Sequence, residues 1–222
     1  MAKAQAIQLV ASEVPAHVLN AGFGRGNEDV GNAVAIPRIK LLQQLSKEVD
    51  KYAPQYIEGA QPGDFIESAS GTMLGSEIYL INVKFKIEFN IWKKFELGGG
   101  LQGQYKTEKE AMEAHAALPN PEEYDIKETH EHVVLVKDAE TGKLSNPMLF
   151  DFTVSKLTTS RKWNTKLAQQ GGDRFASLWK ASSMSVESKS GQRFINLDVD
   201  CMGWTTEEDY KVAESVYETF SQ

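Results

Sequence analysis

The chain has one cysteine, Cys201, among 222 residues. That excludes an internal disulfide framework and a cysteine-rich zinc site, and it fits a reducing compartment. No run approaches 18 apolar residues, so no membrane-spanning helix and no membrane partner are expected. The opening MAKAQAIQLV lacks the basic stretch, apolar run and small-residue cleavage site of a secretory signal, which predicts a cytoplasmic location. Positive charge is scarce: 24 Lys and Arg stand against 31 Asp and Glu, for a net charge of −7. Taken whole, that argues against a phosphate-rich partner.

The charge is, however, sorted along the chain. Residues 82–107 carry a net +3 and residues 156–194 a net +6. The segments 1–81, 108–155 and 195–222 carry −3, −7 and −6. Asymmetry of this kind predicts interaction surfaces of opposite sign, unless folding intermixes the blocks.

The pattern of apolar residues predicts a mainly β fold. Residues 1–35, with GFGRGNEDVGN at 22–32, read as a flexible N-terminal arm. The glycines there do not form a dinucleotide fingerprint, because no strand precedes them and no helix follows. Arg38–Val49 reads as either a helical face or a short strand plus turn, and Gly71–Gly75 as a turn. Between Glu77 and Phe95, Val83, Phe85, Ile87, Phe89 and Ile91 alternate with Lys84, Lys86, Glu88, Asn90, Trp92 and Lys94. That spacing predicts a long half-buried antiparallel strand. Gly98–Gly103 reads as a loop before a small acidic helix over Glu108–Ala117, capped by Thr107 and Glu110 and set in an insertion near 107–121. Further strands are expected at Tyr124–Lys137, Met148–Val154, Phe175–Glu187 and Gln192–Met202, the last two joined by a turn at Lys189-Ser190-Gly191. A helix over Ser160–Gln170 and an acidic one over Glu207–Phe220, capped by Thr205 and Glu208, complete the reading. The order fits a β-barrel of OB-like type with two or three short helices over residues 36–204, and an acidic C-terminal helix or tail over 205–222. A two-sheet β-sandwich is the alternative.

Enzyme chemistry finds little to stand on. There is no phosphate-cradling loop, nucleophile elbow or HExxH, and no cofactor is implied. His130 and His132, two apart on a strand, share a face, but without a third ligand they read as solvent-facing residues rather than a metal site. Cys201 alternates with Ile195, Leu197 and Val199 and reads as a buried small hydrophobe. Asp198 and Asp200 fall on the solvated face of that strand.

The basic segments hold three of the four tryptophans. Single-stranded nucleic acid is bound by cations that track its backbone and by rings on which unpaired bases stack. Trp92 falls on the face of Lys84, Lys86 and Lys94, and Trp179 alternates with Phe175 and Ser177, so both rings are candidate stacking platforms. Lys156, Arg161, Lys162, Lys166, Arg174 and Arg193 are candidate phosphate contacts. Trp163 lies four residues before Leu167 and reads as the buried stripe of its helix. In the acidic end, Glu207, Glu208, Asp209, Tyr217 and Phe220 are candidates for occupying such a groove or recruiting a partner. Packing of Ala213, Val216, Tyr217 and Phe220 on the barrel is the other reading.

The run Pro37-Arg38-Ile39-Lys40-Leu41-Leu42-Gln43, followed by Ile57-Glu58-Gly59-Ala60 and Gly63-Asp64-Phe65, resembles the opening of single-stranded DNA-binding proteins of tailed bacteriophages. Trp163-Asn164-Thr165 and the acidic, aromatic-bearing C-terminus are similar too. The resemblance implies an OB-fold protein that coats single strands during phage DNA replication and recombination in the bacterial host cytoplasm. It also implies homo-oligomers and contacts to replication or recombination proteins through the acidic tail. The competing expectation is a protein–protein or virion-assembly module whose basic and acidic segments pair between subunits.

Overall fold

The computed structural model describes residues 36–188 and 191–221. The expected arm over 1–35, and Lys189 and Ser190 of the expected turn, lie outside the described residues. The alternating segments form one nine-stranded sheet: β1 Arg38–Leu41, β2 Phe65–Glu67, β3 Met73–Gly75, β4 Glu77–Lys93, β5 Leu101–Tyr105, β6 Tyr124–Lys137, β7 Met148–Thr153, β8 Ser177–Glu187 and β9 Arg193–Trp204. Among the described residues the α-helices are α1 Glu108–Ala116, α2 Leu157–Gln170 and α3 Glu207–Ser221. None is long and apolar enough to cross a membrane. Strand order is β3-β2-β1-β7-β6-β4-β8-β9, with β5 added to the far half of β4. Pairing is antiparallel except between β1 and β7.

The fold is thus mainly β, and the sheet curls as a barrel wall does. Ile39 and Phe65 from one flank share a core with Leu197 and Val199 of β9 from the other. Gln43, just after β1, closes the seam: its Nε2 donates to the Ile195 carbonyl and its Oε1 accepts from the Ile195 N–H, both at 3.0 Å. One side-chain amide stands in for a peptide unit of a missing strand. Gly63 packs the same connection against β8; its φ of +102° favours glycine, and a Cβ there would lie 3.1 Å from Ser183 Oγ.

Leu197 and Val199 farther along the β9 edge are closed in the same manner. Leu197 N–H donates to Asn196 Oδ1 (2.9 Å) and Val199 N–H to Asp198 Oδ1 (2.9 Å). The Leu197 carbonyl accepts from Thr159 Oγ1 (3.0 Å) and the Val199 carbonyl from Lys166 Nζ (2.7 Å), both on α2. An edge strand whose outward groups are already satisfied cannot template another.

Helix α2 plugs the barrel. Trp163 and Leu167 are buried at the expected i, i+4 spacing, with Trp163 stacked on His132 at 4.7 Å. Helix α1 has the expected capping box: Thr107 Oγ1 accepts from Glu110 N–H (3.2 Å), and the Glu110 carboxylate accepts from Thr107 N–H (3.1 Å). Helix α3 is capped one residue later than expected. Thr206 Oγ1 accepts from Asp209 N–H (3.2 Å), while Thr205 Oγ1 donates to the Ala176 carbonyl (3.1 Å).

Four expectations are corrected. Gly71–Gly75 contributes the short strand β3, and the glycine loop leads into β5 before the helix. Along β4, a bulge at Val83 puts both Val83 and Lys84 opposite Val133, so Val83 joins the outer apolar cluster while Phe85 faces inward. Cys201 is exposed at the barrel end, its thiol donating to Gln170 Oε1 at 3.3 Å.

His130 and His132 do share a face, but it is the buried inner one. Asn82 Nδ2 donates to His132 Nδ1 (2.8 Å), which leaves His132 Nε2–H to donate to Ser160 Oγ (2.8 Å). The Ser160 hydroxyl then donates to His130 Nδ1 (2.8 Å), and His130 Nε2–H to the Glu128 carboxylate (2.8 Å). Every step of this relay needs neutral His132. Burial first, and then the positive charge of nearby Arg174, push that ring well below its ordinary value. Below about pH 6.5 the unfolded chain takes up a proton that the folded ring refuses, so stability is complete above that value and lost as pH falls from it. Thermal melts should therefore shift downward between about pH 7 and about pH 5, above the carboxylate range, and the shift should flatten in His132→Gln. A melting temperature constant across that window in the parent protein would refute the neutral buried ring.

Candidate nucleic-acid interface

The expected cations and rings separate into three groups. The first, Lys162 apart, is consumed by the fold. Trp179 is fully buried, its Nε1–H donating to Ser177 Oγ at 2.9 Å and its ring edge-on to Trp163 at 6.2 Å. It is core, not a stacking platform. The register shift between Leu178 and Trp179 and the curl of the sheet turn this face inward. Lys156 is half-buried beneath β7, and burial lowers its ammonium. Lys86 bridges Glu88 (2.7 Å) and Glu131 (2.9 Å); Arg161 grips Glu128 at 2.9 and 3.0 Å. Burial alone would raise the Glu128 carboxyl, but its bonds from His130 and Arg161 outweigh that and hold it below the usual range. Lys166 serves the β9 edge and Asp200 (2.9 Å), and Arg193 faces Glu187 across the last hairpin at 3.6 Å. Lys162 is exposed on α2 and has no ion-pair partner among the described residues.

The second group lies under α3. Lys84 Nζ donates to the Phe220 carbonyl. Arg174 lies 5.2 Å over the Phe85 ring and donates to Asn164 Oδ1 at 2.8 Å. Together with Phe175 they line an open cavity of about 600 Å³ whose opposite wall is Glu214, Tyr217 and Glu218. The helix does not merely lean there. Ala213 is fully buried among Ile81, Val83, Val133, Leu135, Leu149 and Phe175, with Tyr210, Val216 and Phe220 packed against them. Of the expected tail residues, Asp209 is buried in an ion pair with Lys137 on β6, and Tyr217 packs on Phe175 at 5.8 Å. Glu207 pairs with Lys211, and Glu208 is exposed.

The third group is open to solvent. At the far end of β4, Trp92 and Lys94 border a groove of about 720 Å³ with Lys93, Phe95 and Lys127. Trp92 is half-buried opposite Asp125 and Leu101, whereas Phe95 is 91% exposed. Gly99 and Gly100, both with left-handed φ, form the floor, and Glu96 and Asp125 are the groove's carboxylates. Sequence reading missed Phe95, Lys93 and Lys127. The signal for the first two was their adjacency to Trp92; Lys127 comes from β6 and is brought in only by strand pairing.

The fold and this groove define a mainly β protein with an open, lysine-rimmed aromatic site and a C-terminal helix built into its wall. Residues 3–222 match the model of the Pam3 phage gp34-like protein family, and the chain belongs to that family. No curated protein and no solved structure matches it.

Proposed function

We propose that this protein is a non-catalytic, sequence-tolerant binder of single-stranded DNA that coats strands during phage replication and recombination. One observation carries the reading: Trp92 and Phe95 share an open groove with Lys93, Lys94 and Lys127. A flat ring with no neighbour on its outer side offers a base a stacking surface, and lysines at its rim supply phosphate contacts. The groove is rich in neither acid–base pairs nor nucleophiles, and the positive φ angles of Gly98, Gly99 and Gly100 keep its glycine side free of side chains. Binding of oligo-dT is expected to quench tryptophan fluorescence and to weaken steeply with salt. Trp92→Ala and Phe95→Ala should each weaken it by about 1–3 kcal/mol with the melting temperature little changed. No quench and no retardation of oligo-dT at low salt would overturn the reading.

A second reading, the protein–protein or virion-assembly module, is favoured by Leu45 and Tyr52, which are 95% and 98% exposed on the connection between β1 and β2. The same titration separates the two, since a module of that kind leaves oligo-dT unbound.

A further inference from the structure

The turn between β4 and β5 is a firm support for an exposed ring. Lys94 N–H donates to the Glu123 carbonyl (2.8 Å), which ties the turn to the residue before β6, and Lys93 N–H closes it on the Gly100 carbonyl (2.9 Å). Inside it, Leu97 N–H and Gly99 N–H donate to the Lys94 carbonyl (3.0 and 3.1 Å), and Gly98 N–H to the Phe95 carbonyl (3.0 Å). Gly98, Gly99 and Gly100 have φ of +101°, +66° and +113°, a conformation that side chains resist at three successive positions. A Cβ at Gly98 or Gly100 would meet nothing within 4 Å, so these glycines serve the shape of the turn and leave the space around it empty. On this support Phe95 is 91% exposed, its ring beside Gly99, and Leu97 and Leu101 are 48% and 46% exposed. An apolar tip held out on a fixed main chain gains nothing in the free protein; it is a surface to be covered.

We propose that this tip recognises the junction at which a single strand leaves a DNA duplex: the strand enters the groove, and Phe95, with Leu97 and Leu101, covers the open face of the last base pair. The inference rests on the reading of the groove as a single-strand site. Continuity favours this occupant first. Phe95 borders the same groove as Trp92, Lys94 and Lys127, and Leu101 stands across the ladder from Trp92, so a ligand on the tip runs on into the groove. Shape is the second argument. One base covers one ring, and half-buried Trp92 offers that; the tip adds apolar surface wider than a base, and the end of a duplex is a flat face two bases wide. Apolar side chains set against base steps are a recurrent device for holding them apart. Charge is the third. Lys93 is engaged by Glu123 at 3.7 Å, whereas Lys94 and Lys127 have no ion-pair partner among the described residues. The phosphates of two strands converge at a junction and meet such lysines. An apolar pocket of a protein would cover the ring and the leucines but leave these lysines without an anion.

The test uses the full chain and three labelled DNAs read by fluorescence anisotropy at low salt. One is a dT strand of about eight nucleotides, one a blunt DNA hairpin, and one the same hairpin carrying that dT strand as a tail, on its 3′ or its 5′ side. The tailed hairpin of one polarity should bind roughly tenfold more tightly than the dT strand, and the blunt hairpin should bind more weakly than either. Phe95→Ala should bring the ratio of tailed hairpin to dT strand near one, because it loses a base pair on the first and a single base on the second. Trp92→Ala should weaken both DNAs alike and keep the ratio. Phe95→Trp should keep it too, with melting curves confirming the fold of each variant. If the dT strand binds and the tailed hairpin binds no better, the junction proposal falls while the single-strand reading stands. If none of the three DNAs binds, both fall. A ratio that Phe95→Ala leaves unchanged would overturn the proposal, as would a blunt hairpin bound as tightly as the tailed one.

Discussion

A chain ending at residue 204 is expected to melt about 6–12 °C below the full-length protein and to aggregate on warming. Residues 205–222 look dispensable as an acidic tail, but α3 is the cover of the outer apolar cluster. Its removal uncovers Ile81, Val83 and Leu135, which are at most 1% exposed in the fold, together with Val133 and Phe175. Each fully buried aliphatic or aromatic side chain is worth about 1.5–3 kcal/mol, so partial exposure of five exceeds about 3 kcal/mol. Loss of the buried Lys137–Asp209 pair adds an unpaired Lys137. Differential scanning calorimetry of the truncated and full-length chains checks this. A truncated chain that melts with the parent would mean that α3 is a detachable tail after all. The expectation bears on any displacement of the C-terminus by DNA. Glu214, Tyr217 and Glu218 leave the Lys84–Arg174 cavity only if the last turns lift while Ala213 stays seated.

The second large effect separates two tryptophans that look alike in sequence. Trp179→Ala is expected to cost about 3–5 kcal/mol of stability, because the ring is wholly enclosed and its neighbours, held by the barrel wall, collapse only partly into the space. Its Ser177 partner also loses the indole N–H. Urea titration should lower the midpoint by that free energy divided by the slope, with the slope itself unchanged. Trp92→Ala should leave the midpoint nearly unmoved. A Trp179→Ala protein as stable as its parent, with impaired oligo-dT binding, would restore Trp179 as a stacking ring.

The two tryptophans are hard to tell apart for a physical reason. Alternation assigns residues to two faces but does not say which face is inside. On β8 the apolar residues Leu178, Met184 and Val186 suggest one side as core, and Trp179 falls on the other. The curl of the sheet reverses this, since Ser177, Trp179 and Ala181 line the interior together with Leu197 and Val199 of β9. Curvature decides the matter, and curvature is a property of the whole strand order. On β4 the difficulty is local: one extra residue at Val83 shifts the faces, and nothing in the residue types announces it. By contrast, β6 spans the residues expected, and Thr107 and Glu110 close their capping box as their spacing requires. Those signals lie within one element and need no distant partner.

The candidate groove was legible by half. Trp92 and Lys94 were visible as a ring and a cation on one strand, whereas Lys127 lies 35 positions from Trp92 and reaches the same rim through the antiparallel pairing of β4 with β6. Most of the basic block dissolves in the opposite way. Lys86, Arg161, Lys166 and Arg193 meet carboxylates of the acidic segments or of their own, so charge sorted along the chain is partly remixed by folding. Segments of opposite sign largely neutralise each other within the fold. What survives as exposed positive charge is small and local.

The side-chain closure of β9 has a consequence for the molecule in company. Sheets with one vacant slot and one bare rim stack copy upon copy, each giving its rim to the next one's slot, and grow into fibres. Here the β9 rim is dressed from Ile195 to Val199 by side chains of the same chain. Crowded shoulder to shoulder, copies find no free backbone group to pair with along that stretch of β9.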